Sequence, residues 1–406
     1  MARKIFKSFL TIFIVLASTL FSTPPPCWAS SSVKIGVFLP LSGQSSAPGQ
    51  SILQGIKVAH TLHPTVLNHT VELVTVDTMS DRIKAANAVE RLIKSDNVRA
   101  IIGEATTNGT LAGAAIADWA KIPMISPATT SPSITRNRTY VFRTCFNDTL
   151  QGKAAATYSY ETLGARKAAV MLDIAQDYSI GLANAFERAF VNRGGSIVSH
   201  TYCQTWDQDF TTQLQAVIAA KPDVLYMPNY YQEVIETCRQ AKKLGLNITM
   251  ISGNAVQTNE LLERGASDVD GLIFTGHFDT SLADTAMAKQ YLNRFSAATG
   301  QEADPYAVLG ADAYFVLIDA IERAKSLRAY KIRQALAHTT GFQGVSGGIT
   351  IGDDGNAIKN IVFMQVKDGT FRHLTTVNPG KEAQTVTSGN SDTAGIKHQD
   401  TRTGKN

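Results

Sequence analysis

The sequence predicts an α/β protein built from two similar units, each a mainly parallel sheet flanked by helices, and three observations predict it. Short β-rich runs alternate with helix-patterned stretches from residue 33 to residue 126. The same rhythm restarts at residue 167 and continues to residue 252. Helical stretches at 284–298 and 305–327 then follow neither rhythm.

Taken in order, VKIGVFL (33–39) reads as a buried parallel strand and SILQGIKVAHTL as the helix after it. VELVTV, RIKAANAVERLIKS, VRAIIG, TLAGAAIADWA and IPMIS continue the alternation. In the second unit, KAAVMLD, SIVSHTY, DVLYMP and ITMIS are strands, with helices at 178–193, near 208–220 and at 231–244 between them. DGLIFTG (270–276) leads into the two unmatched helices. The segment GGITIGDDGNAIKNIVFMQVKDGTFRHL reads as a pair of strands around an Asp-Gly turn. Residues 379–406 are polar and rich in Gly, Ser and Thr, and are expected to form a disordered tail.

The amino terminus sets the compartment. Arg3, Lys4 and Lys7 precede the apolar run FLTIFIVLASTLF and a break at PPPCWA, the pattern of a secretory signal peptide over residues 1–29. The run is short of the roughly 20 apolar residues that a spanning helix needs. Cleavage after Ala29 fits, with Cys27 and Ala29 as the small residues. Pro25 and Pro26 stand before Cys27, where a lipoprotein carries small residues, so an exported periplasmic protein without a lipid anchor is expected.

Removing 29 residues from 406 leaves 377, about two domains on the usual length prior. The leader carries three basic residues and no acidic one, so the formal charge falls from +4 to +1. That balance gives no reason to expect nucleic acid or an acidic membrane as partner. Cys145, Cys203 and Cys238 remain, and an odd count argues against a disulfide framework. Cys238 shares a helical face with Ile235 and Ala241 and reads as a small core residue.

Ligands of open parallel sheets sit beyond the carboxyl ends of the strands, where helix amino termini offer unpaired N–H groups. Four such junctions stand out: GEATTNGT (103–110), SPATTSPSIT (126–135), DIAQDYSIGLA (173–183) and PNYYQE (228–233). The second reads either as a capped turn into a short helix or as a polar shelf for a small ligand. Catalytic constellations find little support. The chain has no G-x-x-x-x-G-K-[ST] loop and no H-E-x-x-H pair, and no cofactor or enzymatic role is expected. His60, His63 and His69 straddle a helix end and Pro64 without a cysteine or paired acid, and read as surface histidines rather than metal ligands.

These residues resemble the periplasmic amino-acid-binding proteins of ABC importers, typified by the leucine/isoleucine/valine-binding protein. The resemblance runs from about Val33 to Leu374 and rests on IGVFLPLSG, IGEATTNGT, IPMISPATTSPSIT, FRTCFNDTLQG, QDYSIGLA, PDVLYMPNYYQE, RQAKKLGL and LGADAYFVLIDAIERA in that order. It implies a two-lobed type I periplasmic-binding fold with three hinge crossings, near Asn147, Gly276 and Ser346. Residues 30–147 and 277–346 would form lobe 1, and residues 148–276 and 347–378 lobe 2. The unmatched helices would then return to the first lobe.

Carried onto this chain, the resemblance implies that Thr107, Ala128 (through its backbone) and Thr130 hold the ligand, with Asn108 and Thr129 as neighbours. Tyr178 and Tyr230 would cover it from the opposite lobe, and Tyr306 would make an apolar contact. Two positions depart from the family. Pro48 stands where the family example has an aromatic residue, and Asn254 where the family commonly has the acid that pairs with the ligand's α-ammonium. An amide brings no compensating charge, and sealing an ammonium away without one costs several kcal/mol. Either Glu104, Asp173 or Glu233 substitutes, or the solute is a carboxylate or amide lacking an α-ammonium. The implied function is solute delivery to an ABC permease in the inner membrane by a monomer; the alternative is sensing, with the bound solute presented to a membrane receptor.

Overall fold

A computed structural model describes residues 32–378. The expected signal peptide (1–29) and tail (379–406) lie outside the described residues. In chain order the strands and helices are β1 (Ser32–Leu39), α1 (Ser46–Leu62), β2 (Thr65–Val66), β3 (His69–Asp77), α2 (Arg82–Lys94), β4 (Ala100–Gly103), α3 (Thr107–Trp119), β5 (Met124–Ser126), β6 (Val141–Arg143), α4 (Asp148–Thr157) and β7 (Lys167–Asp173). There follow α5 (Asp177–Asn192), β8 (Ser196–Cys203), α6 (Thr211–Ala220), β9 (Val224–Tyr226), α7 (Tyr231–Lys243), β10 (Thr249–Ser252), α8 (Asn259–Gly265) and β11 (Ile273–Gly276). The last elements are α9 (Ala286–Thr299), α10 (Pro305–Ala324), α11 (Ala329–Ala337), β12 (Phe342–Gly344), β13 (Gly347–Ile351), β14 (Ala357–Ile358), β15 (Ile361–Lys367) and β16 (Thr370–Val377).

The strands form two large sheets, as the alternation predicts. The first has the order β2-β3-β1-β4-β5-β6 and the second β16-β15-β11-β10-β9-β7-β8. All pairs in the first are parallel except β2 with β3. In the second, β15 and β16 add an antiparallel edge to a parallel run. Both sheets are buried on both faces, because successive residues of a strand point to opposite sides. In β1, Val33, Ile35, Val37 and Leu39 enter one apolar cluster and Phe38 enters another. In β7, Ala169 and Met171 point one way and Ala168, Val170 and Leu172 the other.

The helices after β11 do return to the first sheet. Ala288, Tyr291 and Phe295 of α9 and most of α10 lie in the cluster that contains β1. Glycine makes the closest approach possible: a Cβ on Gly55 of α1 would fall on the Ala307 carbonyl of α10, and one on Gly310 would fall on the Ile52 carbonyl. The sequence pattern runs α10 on to residue 327, but the helix stops at Ala324, because Lys325 takes a left-handed conformation (φ 45°) that ends it. The last crossing also differs from expectation. Ile349, Ile351 and Ala357 pack in the first sheet's core, and the Arg143 N–H donates to the Gly355 carbonyl at 3.1 Å. Residues 347–358 therefore stay with the first unit, and the chain rejoins the second sheet only at Ile361.

Cys145, Cys203 and Cys238 are all buried and unpaired. Among the described residues no helix is long and apolar enough to cross a membrane.

Gly55→Ala is expected to destabilise the protein by about 1–3 kcal/mol or more, since two backbones must move apart to admit the methyl group. A thermal melt of purified variant against wild type checks this. An unchanged melting temperature contradicts the close packing of α1 on α10.

Candidate ligand-binding site

The shelf begins where β5 stops. Pro127 cannot continue the ladder as donor, and the backbone from Ala128 to Ser131 turns across the end of the sheet. Parallel register sets Arg143 of β6 beside Ser126 of β5, so its side chain reaches the turn. The guanidinium donates from Nη1 to the Thr129 carbonyl at 2.9 Å and from Nη2 to the Ser131 carbonyl at 2.6 Å. The carbonyl between them accepts from the Asp148 N–H, the first residue of α4, at 2.8 Å. Three consecutive carbonyls thus have donors within the protein.

At the neighbouring strand end, Glu104 is buried and accepts hydrogen bonds from the Thr78 hydroxyl (2.6 Å), the Thr106 hydroxyl (2.6 Å) and the Thr106 N–H (2.9 Å). Burial nevertheless pushes its carboxyl above the ordinary range, against the lowering effect of those donors. Thr106 caps α3, its hydroxyl accepting from the Gly109 N–H at 3.2 Å. Helix geometry leaves the first-turn N–H groups of Thr107 and Asn108 without intrahelical partners, beside the shelf.

Two tyrosines of the second unit approach Asp148 and Tyr306 of this region. Tyr178, on the first turn of α5, and Tyr230, just before α7, lie with ring centroids 5.4 Å apart. The Tyr178 hydroxyl accepts from the Ala255 N–H at 3.4 Å and donates to Asn254 Oδ1 at 3.3 Å. Burial raises both phenols well above their usual range, with the nearby Asp148 carboxyl and Tyr306 adding to the effect. Tyr306 belongs to the first turn of α10, in the first unit, so these three rings bring the two units together. Two polar contacts also cross between units: Gln232 Nε2 donates to the Gln44 carbonyl at 3.2 Å, and Asn108 Nδ2 approaches Gln176 Oε1 at 3.5 Å.

Of the expected site residues, Tyr178, Tyr230, Asn254, Tyr306 and, through Asp148, Thr130 share one neighbourhood, while Thr107 and Ala128 lie just beyond the ends of the adjacent strands β4 and β5. All are buried except Tyr230, which is half-buried. Thr129 has another job. Its hydroxyl meets Thr110 Oγ1 at 2.6 Å and the Glu104 carbonyl at 3.2 Å, tying the two strand ends together. Asn108 sits at the rim, where its amide faces Gln176.

Sequence reasoning missed Arg143, Asp148 and Gln151, all within FRTCFNDTLQG. Gln151 accepts from the Asn254 N–H at 3.0 Å and the Thr275 hydroxyl at 2.7 Å, and donates to Asp148 Oδ1 at 3.2 Å. Two of the substitute acids are occupied elsewhere. Glu104 holds the threonines described above, and Asp173 accepts from the Thr205 hydroxyl and the Ala175 N–H. Glu233 accepts from the Trp206 N–H through Oε1, and its buried Oε2 has no hydrogen-bond partner among the described residues. A G-x-S-x-G elbow is not expected from the motif reading, yet GVSGG (344–348) matches that spelling. Ser346 lies in the turn between β12 and β13 rather than between strand and helix, and its hydroxyl donates to the Asp312 carboxylate.

Comparison with known proteins gives the family and the fold. The sequence model of a family described as periplasmic binding protein matches residues 32–370. The Leu/Ile/Val-binding protein BraC3 of Rhizobium johnstonii is 28% identical over 335 residues, covering 81% of this chain and 89% of that protein. Among solved structures, the leucine binding protein LivK of Thermotoga maritima superposes with a TM-score of 0.84 at 41% identity, covering 86% of this chain and 99% of the other. LivJ of Streptococcus pneumoniae, solved in complex with isoleucine, gives a TM-score of 0.80 at 27% identity over 86% of this chain and all (100%) of the other.

Burial raises the Asp148 carboxyl from an ordinary 3.8 to about 7, although Thr130, Arg143 and Gln151 pull it down. The folded state therefore holds this proton more tightly than the unfolded chain. Its contribution to stability is complete below pH 4 and is lost as pH rises through about 7. Asp148→Asn cannot ionise, so its stability relative to wild type is expected to improve between pH 4.5 and pH 7.5 in urea denaturation. A difference that stays constant over that range contradicts the burial of this carboxyl.

Proposed function

We propose that this chain, which belongs to the periplasmic binding protein family, is the extracytoplasmic solute-binding component of an ABC importer. It takes one small carboxylate-bearing solute, an amino acid or close relative, between two lobes that close by hinge motion. The observation that carries the reading is the approach of the hydroxyl-rich turn after β5, with Thr130 against Asp148, to the paired rings of Tyr178 and Tyr230 from the other unit. Hydroxyls and first-turn N–H groups suit a carboxylate, and amphipathic rings suit a solute that is part apolar. The likeness to amino-acid-binding relatives supports the same class of solute.

In this reading the hinge crossings fall near residues 147, 276 and 359–360. The last replaces Ser346, because residues 347–358 pack on the first core. Export to the periplasm follows from the basic and apolar leader, and the partner is the permease that receives the solute. The protein acts by binding and release, without chemistry on the solute.

A solute buried between closed lobes stabilises the folded state by mass action, by about 2.7 kcal/mol at a hundredfold excess over its dissociation constant. A thermal-shift screen of amino acids and related carboxylates, on protein freed of copurified ligand, is expected to give a hit. Silence across the screen contradicts the reading.

Thr107→Ala and Thr130→Ala are each expected to weaken that hit about tenfold or more without unfolding the protein, since a hydrogen bond to a charged group contributes roughly 1.5–3 kcal/mol. Titration calorimetry measures it. Wild-type affinity in both variants returns SPATTSPSIT to a capped turn.

A further inference from the structure

The three crossings between the units bring buried side chains to one place at the junction. Cys145 and Phe146 stand on the first, His277 directly follows Gly276 on the second, and Lys359 lies at the third. The His277 ring stacks on Phe146 with centroids 4.1 Å apart. Lys359 is near enough to lower the basicity of that imidazole and to act on the Cys145 thiol.

The nitrogens gathered here lack acceptors. Lys359 is 3% exposed, and its Nζ has no hydrogen-bond partner among the described residues. Its ion-pair partner, Asp312 Oδ2, is 3.7 Å away, and that carboxylate is already filled. Asp312 Oδ1 accepts from the Val345 N–H at 2.6 Å, and Oδ2 from the N–H of Ser346 at 3.2 Å and from its hydroxyl. His277 is 3% exposed as well, and neither Nδ1 nor Nε2 has a partner among the described residues. An ammonium carries three donors and no acceptor, and a neutral imidazole carries one donor. Burying such groups without acceptors is costly.

The charges point the same way. Against two cations, Arg143 and Lys359, the buried carboxyls are Asp312 and Asp148, and burial pushes both toward the protonated form, Asp148 to about 7. Asp354, which also acts on Arg143, is exposed, so water screens it. Positive charge and free N–H donors are thus in surplus together. Burial works against the Lys359 ammonium too, and a negative charge beside it would favour its charged form.

We propose that the junction binds one compact inorganic anion, of the charge and size of chloride, between the Lys359 ammonium and an N–H of the His277 ring, beside Cys145 and Phe146. Its ligands come from the second and third crossings and its wall from the first. The anion therefore ties together the three segments that flex when the units move. The site is independent of which solute the cleft takes.

Two measurements on the mature chain test this. Crystals grown in sodium bromide are expected to give an anomalous peak in contact with Lys359 Nζ and the His277 ring. Melts in sodium chloride against sodium gluconate, at equal ionic strength so that screening is the same, are expected to show a chloride-specific rise in melting temperature. Lys359→Met is expected to abolish that rise. His277→Phe keeps a ring on Phe146 and removes both nitrogens, and is expected to raise the chloride concentration needed for a given rise about tenfold, the factor for one hydrogen bond to a charged group. If Lys359→Met fails to fold because it strands Asp312, His277→Phe and the bromide map decide. Bromide found only on the surface is an adventitious ion only and overturns the proposal, as does a water, without anomalous signal, at the junction. A chloride response that is absent in wild type, or equal in wild type and His277→Phe, overturns it too. Each of these outcomes leaves solute binding in the cleft as it was, since that reading is tested by the solute screen.

Discussion

The grip of the Arg143 guanidinium on the Thr129 and Ser131 carbonyls is the constraint on which the cleft depends. A turn at the end of a sheet would ordinarily leave its carbonyls to water. Here they are buried, so each needs a donor within the protein, and a planar fork with several N–H groups satisfies two at once. The cation is itself fully buried, which is tolerable only because the carbonyls accept from it and Asp148 lies near enough to offset its charge. Removing any one of these three partners strands another. With these carbonyls held, the turn from Ala128 to Ser131 has a fixed course beside Asp148.

The same segment joins the units. From β6 the chain passes Arg143, Cys145 and Asn147, and Asn147 caps α4 by accepting from the Leu150 N–H at 3.0 Å. One turn later Gln151 reaches the Asn254 N–H and the Thr275 hydroxyl of the second sheet. A shift at the shelf is therefore felt directly by the loop after β10 and by the end of β11, where the chain crosses back. A closing motion needs such an element, one that is packed on both sides and whose contacts differ between states. Buried polar groups line this junction. Lys359 and Asp312 form an ion pair at 3.7 Å with both side chains buried, and His277 stacks on Phe146 with ring centroids 4.1 Å apart. Burial and the neighbouring Lys359 hold that imidazole neutral, so the crossings carry few net charges.

Much of the fold was legible because its signals are local. Fully buried strands read as continuous apolar runs, and KAAVMLD forms β7 over the same residues. The parts that were not legible are those decided by tertiary context. β6 is three residues long, and α4 begins in FNDTLQG with no apolar period, so neither stands out from loop by pattern alone. Residues 347–358 alternate like any strand, and nothing in them says which of two cores they join. In the site, residue type was enough to single out the hydroxyl-rich turn and the tyrosines as candidates. It was not enough to separate Thr129 from Thr130, adjacent and chemically identical, of which one hydroxyl bonds to the first sheet's strand ends and the other lies against Asp148. Asp148 was hidden for a similar reason: an Asp one residue after an Asn cap reads as an ordinary helix start. Only the fold shows that it is buried between units.

The central claim is that one small solute is held at this shelf by closure of the two units, and a crystal structure of the mature chain with a solute that raises its melting temperature tests it most directly. The account predicts density between the sheets, with a carboxylate on the Thr107 and Thr130 hydroxyls and the first-turn N–H groups of α3, under the rings of Tyr178 and Tyr230. Density elsewhere on the protein, or a bound solute that touches only one of the two units, would contradict it.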